Sequence, residues 1–106
     1  MRVFKDTFVR DEDMSADITS ISIPLTSYYG FAVQALYTGS PNGTLRLQAS
    51  VDNTNWVDIG DSIVTITSAG TWIWNFIGNF CANMRVAYTA SSGSGTLSAI
   101  IFAKGV

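Results

Sequence analysis

The sequence predicts an all-β fold, a single antiparallel β-sandwich or jelly-roll domain of about eight strands. Three observations carry that expectation. Helical periodicity is almost absent, while period-two alternation returns about every eight to twelve residues. Clusters of Gly, Pro, Asn, Asp and Ser separate the alternating stretches, as hairpin turns require. From Ser62 to Ala103 the chain carries one formal charge, Arg85, in forty-two residues. An average globular sequence would hold roughly a quarter charged residues there. Small polar residues alternating with Val, Ile, Phe and Trp are strand chemistry, with little charge to keep the chain from associating.

The elements follow in order. Residues 1–13 read as an N-terminal arm or first strand, and residues 14–106 as the sandwich domain. Residues 10–17 (RDEDMSAD) are acidic and read as a solvated loop. Ile18–Pro24 alternates with Ile21 and Ile23 on one face, and Pro24 ends it. Phe31–Thr38 turns Phe31, Val33, Ala35 and Tyr37 inward. Ser40-Pro41-Asn42-Gly43 reads as a turn, because Pro presets φ and Asn and Gly tolerate positive φ. Thr44–Val51 places Leu45, Leu47, Ala49 and Val51 inward, and the Asx-rich Asp52–Asn55 turn follows. Short strands are expected near Trp56–Ile59 and Ile63–Thr67.

In Thr71–Ile77, Trp72, Trp74 and Phe76 share one face and Ile73 and Ile77 the other. Asn83–Ala90 sends Met84, Val86 and Tyr88 inward, and Ser91–Gly95 reads as a flexible loop. Thr96–Ala103 places Leu97, Ala99 and Ile101 opposite Ile100 and Phe102. Tyr37–Leu45 and Tyr88–Leu97 echo one another: strand, Ser/Gly turn, then Gly-Thr-Leu opening the next strand. Two similar hairpins, one in each half of the sandwich, would produce that echo, and so would convergent turn chemistry, which needs the same residues wherever hairpins form.

A free-standing sandwich meets water on one face of each strand, yet both faces of the last strands are apolar. A cover is therefore expected: a loop, the N-terminal arm or another subunit. The candidates for core or interface are Phe4, Phe8, Trp72, Trp74, Phe76 and Phe102.

The chemistry that the chain lacks is informative. It has no histidine, which removes the commonest general base and metal ligand together. Catalysis is therefore not expected, nor is a metal or another cofactor. Asp52 and Asp58 flank Trp56 and Asp61 follows closely, but the expected work of Asp52 and Asp58 is turn hydrogen bonding. Cys81 is the one cysteine, expected as a small buried hydrophobe. A net charge of −2 with scattered Lys and Arg gives no footprint for nucleic acid. Thr71–Ala82, the greasiest segment, is too short for a membrane helix, and the charged N-terminus has no signal-peptide core. Trp56, Tyr28 and Tyr29 are candidates for an alternative role, a sugar-stacking platform in a carbohydrate-binding module.

Two segments resemble a known family. Leu47-Gln48-Ala49-Ser50-Val51-Asp52-Asn53-Thr54-Asn55-Trp56-Val57-Asp58-Ile59 resembles the L-x-x-S-x-D-G-x-x-W-x-x-I hairpin of small virion proteins of tailed phages, with Asn53 in place of Gly. A similar turn occurs in discoidin-like jelly rolls. Met84-Arg85-Val86-Ala87-Tyr88-Thr89, followed by the Ser/Gly run and Thr96-Leu97, is similar to the ending of the same phage proteins. The resemblance implies a non-enzymatic virion subunit, often a capsid decoration (cement) protein and commonly a homotrimer. Its implied partners are copies of itself and the major capsid protein or another virion protein. On that reading the N-terminal arm is a candidate for grasping the shell.

Overall fold

The computed structural model describes residues 3–77 and 81–105; Met1, Arg2 and Val106, at the ends of the two expected segments, lie outside them. The strands are β1 (Val3–Asp13), β2 (Ile18–Thr19), β3 (Ile23–Pro24), β4 (Gly30–Tyr37), β5 (Ser40–Ser50), β6 (Val57–Asp58), β7 (Val64–Ile66), β8 (Gly70–Ile77), β9 (Asn83–Ser94) and β10 (Thr96–Lys104). A short 3-10 turn spans Gly60–Ser62. One sheet has the order β1-β10-β4-β8, and the other β2-β9-β5-β6. In the second sheet β3 shares a flank of β9 with β2, and β7 shares a flank of β5 with β6. Each sheet is thus four positions wide, and the ten segments fill eight places in a jelly-roll arrangement.

One antiparallel ribbon organises both sheets. Gly30–Tyr37 pairs with Lys104–Leu97, and Ser40–Ser50 pairs with Ser94–Asn83. The ribbon passes from the first sheet into the second at Thr38-Gly39 on one chain segment and Gly95 on the other. The two echoed sequences are therefore adjacent corners of a single ribbon, not separate hairpins. Thr38 N–H donates to the Thr96 carbonyl at 3.0 Å, and their hydroxyls meet at 2.6 Å. A Cβ on Gly93 would fall on the Ser40 carbonyl oxygen, and one on Gly95 on the Thr38 carbonyl oxygen. The close backbone approach explains why glycine occupies both sites.

The alternating residues form the core. Val33, Leu45, Leu47, Met84, Val86, Leu97 and Ile101 are fully buried between the sheets. Each such aliphatic side chain contributes about 1.5–3 kcal/mol over its exposed state. Trp74 reaches across the sandwich, its indole N–H donating to the Ser62 carbonyl at 2.8 Å. The Ser62 hydroxyl in turn donates to the Ile59 carbonyl at 2.6 Å and accepts from Leu47 N–H at 2.9 Å.

Several sequence expectations are corrected. Ser40–Gly43 is strand, and so is Ser91–Ser94; the turns are Thr38-Gly39 and the single residue Gly95. β1 runs to Asp13 as a paired strand along β10, and Met14 turns fully into the core, so the solvated loop shrinks to residues 15–17. A register irregularity between Thr7 and Val9 lets both Phe8 and Val9 face inward. Ile21 is exposed because Ser20–Ser22 interrupts the strand, and the Ser20 hydroxyl accepts from Val86 N–H at 2.9 Å. Val51 is exposed and Ser50 is buried in its stead, because the Ser50 hydroxyl holds the following turn. Cys81 lies outside the strands and is half-buried; burial pushes its thiol pKa up, away from reactivity.

Tyr88 is fully buried, and its hydroxyl has no hydrogen-bond partner among the described residues. Burial raises its pKa, and the Asp17 carboxylate adds to that shift. Tyr88→Phe removes a desolvated hydroxyl without leaving an orphan, so stability is expected to hold or rise by about 1 kcal/mol. Urea unfolding checks this; a loss above about 1 kcal/mol would show that the hydroxyl is satisfied in solution.

Candidate assembly surface

The two outer faces differ sharply in chemistry. On the β2-β9-β5-β6 sheet, Arg46 Nε donates to Asp58 at 3.0 Å and its Nη1 to the Thr89 hydroxyl at 2.9 Å. Gln48 Nε2 donates to the same Asp58 at 2.8 Å, while Arg85 Nε donates to Gln48 Oε1 at 2.8 Å. The Arg85 guanidinium sits 4.3 Å from the centre of the Trp56 ring. Gln48 and Arg46 hold the Asp58 carboxyl below its ordinary pKa, Gln48 contributing most. That face is a closed polar network suited to water.

The outer face of the β1-β10-β4-β8 sheet is built otherwise. The register aligns Lys5, Phe102, Ala32 and Asn75 in one row and Thr7, Ile100, Gln34 and Ile73 in the next. Ser98, Leu36 and Thr71 form a third row, and Lys104, Gly30 and Ile77 a fourth. Ile73 is 59 % exposed, Ile77 80 %, and Leu36 and Phe102 38 % each. Lys5 and Lys104 bring positive charge to these rows, and the Asp11 carboxylate joins the third by accepting from the Ser98 hydroxyl at 3.3 Å. At one end a groove of about 390 Å³ is lined by Tyr29, Phe76, Ile77, Phe102 and Lys104 among others. The Lys104 ammonium lies 5.6 Å from the Phe102 ring centre. Four strands about 4.8 Å apart and eight residues long give a face of about 500 Å². About half of it is apolar, gathered at Leu36, Ile73, Ile77 and Phe102, and a contiguous apolar patch of that kind is a candidate interaction site.

The sequence candidates distribute as follows. Phe102, Phe76 and Tyr29 meet at the groove, with Phe76 packed on Phe31 at 5.4 Å between ring centres. Phe8 and Trp74 are buried in the core of the chain itself and offer no surface to a partner. Trp72 is 44 % exposed on the edge strand β8. Phe4 packs against Tyr28 at 5.9 Å beside a separate groove of about 200 Å³. Trp56, Tyr28 and Tyr29 thus lie on three different surfaces, and Arg85 covers a face of Trp56. Ile73, Ile77 and Leu36 were not among the sequence candidates, although alternation places them opposite the core residues.

The Asp52 turn shows what its motif does. Asp52 Oδ1 accepts from the N–H groups of Thr54 at 2.9 Å and Asn55 at 2.8 Å, and from the Ser50 hydroxyl at 2.9 Å. Asn53 takes the positive φ of 60° that Gly usually supplies. These donors, the Asn55 and Thr54 N–H groups foremost, hold the Asp52 carboxyl far below its ordinary value of 3.8. Because the folded pKa is depressed, the unfolded chain binds more protons through that window. The stabilisation is present above pH 3.8 and fades as the pH falls below it. Asp52→Asn is expected to melt at lower temperature than wild type at pH 7, with the gap narrowing below pH 3.8. A gap of constant size from pH 7 to pH 2 would refute the charge as its cause.

Among the described residues no three His, Cys, Asp or Glu side chains come together as a metal site. No helix among the described residues is long and apolar enough to cross a membrane. What the fold defines is a small two-sheet β-sandwich of jelly-roll type with one solvated and one apolar outer face. No protein-family model matches the chain, and no curated protein matches it in sequence. Solved structures share its fold. YomS, a protein derived from the SPBc2 prophage, is 14 % identical with a TM-score of 0.64, over 96 % of both chains. XepA, an exported protein of PBSX, is 8 % identical with a TM-score of 0.70, over 97 % of this chain and 37 % of XepA. VP2 of the infectious bursal disease virus subviral particle is 11 % identical with a TM-score of 0.60, over 98 % of this chain and 32 % of the other. The chain thus spans nearly all of YomS and about a third of the other two.

Proposed function

We propose that this chain is a non-enzymatic structural protein of a bacteriophage virion that decorates and cements the capsid. The observation that carries the reading is the contrast between the outer faces: a closed polar network on one, and apolar rows rimmed by Lys5 and Lys104 on the other. The phage- and virus-derived fold neighbours support it, as do the phage-like Asp52 hairpin and the Arg85–Leu97 run. In this role the apolar face docks on a shell protein whose contact patch is apolar with acidic groups near the two lysines. About 500 Å², roughly half of it apolar, contributes on the order of 6 kcal/mol at 25 cal/mol per Å². Association costs are of similar size, so a single subunit holds the shell weakly and several act together.

The test uses particles of the virus that encodes the chain, stripped of this protein. Added wild type is expected to bind to saturation, less tightly as salt rises. Leu36→Lys and Phe102→Lys are expected to lower affinity about tenfold or more, the loss of one well-packed apolar contact. Val57→Lys, on the opposite sheet and exposed, is the control. Equal occupancy for Leu36→Lys and the control would reject the assigned face. Glycan binding that depends on Trp56, Tyr28 or Tyr29 would transfer support to the carbohydrate-binding alternative.

A further inference from the structure

We propose that β8 pairs, antiparallel and about a two-fold axis, with β8 of a second copy, joining the two β1-β10-β4-β8 sheets into one of eight strands. The argument begins with the edges of the sandwich. β1 carries charges at six of its eleven residues and two register irregularities, and Asp11 sits at φ 47°. β2 and β3 have two residues each, and β3 contains Pro24. β6 and β7 have two and three residues, and Asp58 is tied to Arg46. Short length, charge, proline and irregular register are the devices by which sheets block edge-to-edge pairing. β8 has none of them: its eight residues, GTWIWNFI, are fully paired to β4 on one side and contain neither charge nor proline.

The occupant follows from the same inventory. Among the described strands each copy presents one unblocked edge, so between two copies the open combination is β8 with β8. That contact is isologous and closes at two subunits, whereas a second free edge would allow fibres. An uncharged strand is also the kind that can face itself, because like charges directly opposite one another are destabilising.

Geometry narrows the register. Residues opposite one another in an antiparallel pair point to the same side of the sheet, so a strand pairing with itself about a two-fold must be centred on a residue. Centring on Trp74 sets Trp72 against Phe76 and Thr71 against Ile77, each twice. This covers Trp72, 44 % exposed, and Ile77, 80 % exposed, and makes two cross-strand aromatic pairs. Centring on Ile73 instead puts Phe76 opposite Gly70 and leaves Ile77 without a partner. The Trp74 register is therefore favoured. An axis perpendicular to the sheet leaves both apolar faces on the same side, giving one continuous face of about 1,000 Å². The pair replaces the trimer that the sequence resemblance implies. It does not depend on shell docking, because edge chemistry alone carries it.

Light scattering over a concentration series, combined with amide hydrogen exchange, tests the pair. Wild type is expected at twice 11.4 kDa, with the amides of residues 71–77 gaining protection as concentration rises. Ile73→Lys sets the two new ammonium groups at diagonal positions across the axis and is expected to raise the dissociation constant about tenfold or more. Val57→Lys should leave it unchanged. A wild-type mass of 11.4 kDa at every concentration, a three-chain mass, or β8 amides indifferent to dilution would overturn the proposal. If Ile73→Lys fails to fold, wild-type exchange on dilution still decides. Shell binding is scored separately: a monomer that binds shells rejects the pair alone, and a dimer that does not rejects the docking reading alone.

Discussion

Replacing Trp74 with alanine is expected to cost about 4 kcal/mol of folding stability and to lower the melting temperature by about 15–20 °C. Two losses add. The ring, 4 % exposed, fills the space between the sheets, and its removal leaves a cavity that rigid strands close poorly. The indole also donates to the buried Ser62 carbonyl, and alanine leaves that acceptor unpaired. Ser62 is fully buried and bonds both Leu47 and Ile59, so the loss reaches the β6–β7 connection and the centre of β5. Trp74→Phe separates the two contributions: it keeps most of the ring and loses the donor, for about 1–3 kcal/mol. Urea unfolding of the three proteins checks the order. Alanine and phenylalanine variants of equal stability would mean that the indole volume is not what holds the sheets.

The same residue shows how much was legible in the sequence. Alternation puts Trp72, Trp74 and Phe76 on one face of a strand, and that is where they lie. Alternation says nothing about how far each is from the end of the sandwich, so it could not separate buried Trp74 from half-exposed Trp72. The all-β class, the inward rows of β4, β9 and β10 and the positive φ at Asn53 were legible because each is a local consequence of residue type. The Ser40–Gly43 and Ser91–Gly95 stretches misled for a physical reason. Their Pro, Gly and Ser residues favour turns locally, but the ribbon needs small residues wherever its two backbones cross between sheets. Tertiary approach, not turn propensity, selected them.

The candidate surface was legible in outline and not in detail. A chain with so little charge between Ser62 and Ala103 was expected to bury more than one face. Which rows of side chains share that face depends on the order β1-β10-β4-β8, and strand order is a long-range property that no single segment contains. The aromatic residues drew attention in the sequence because of their size. The structure adds Leu36, Ile73 and Ile77, which are smaller but lie together with Phe102. It also explains the lone charge in the long neutral run: Arg85 is outward on the polar sheet, bound to Gln48 and stacked on Trp56.

Gly95→Ala is expected to cost about 3–4 kcal/mol, a combination of overpacking and lost corner hydrogen bonds. The added methyl would fall on the Thr38 carbonyl oxygen, so the two backbones at the corner must separate. Separation strains the Thr38–Thr96 backbone bond at 3.0 Å and the hydroxyl contact beside it. It also disturbs the bond from Met14 N–H to the Gly95 carbonyl at 2.9 Å, which fixes the turn leaving β1. Both sheets meet at this bend, so a local shift cannot be absorbed by one of them. The matched control is Gly60→Ala, where a new Cβ meets nothing within 4 Å. That variant is expected to be neutral or stabilising by about 0.5 kcal/mol, because alanine restricts the unfolded chain. Denaturant unfolding compares the two directly. Equal stabilities would mean that the corner is loose in solution; the expected large difference would identify the paired corners as the point where the jelly roll is held together.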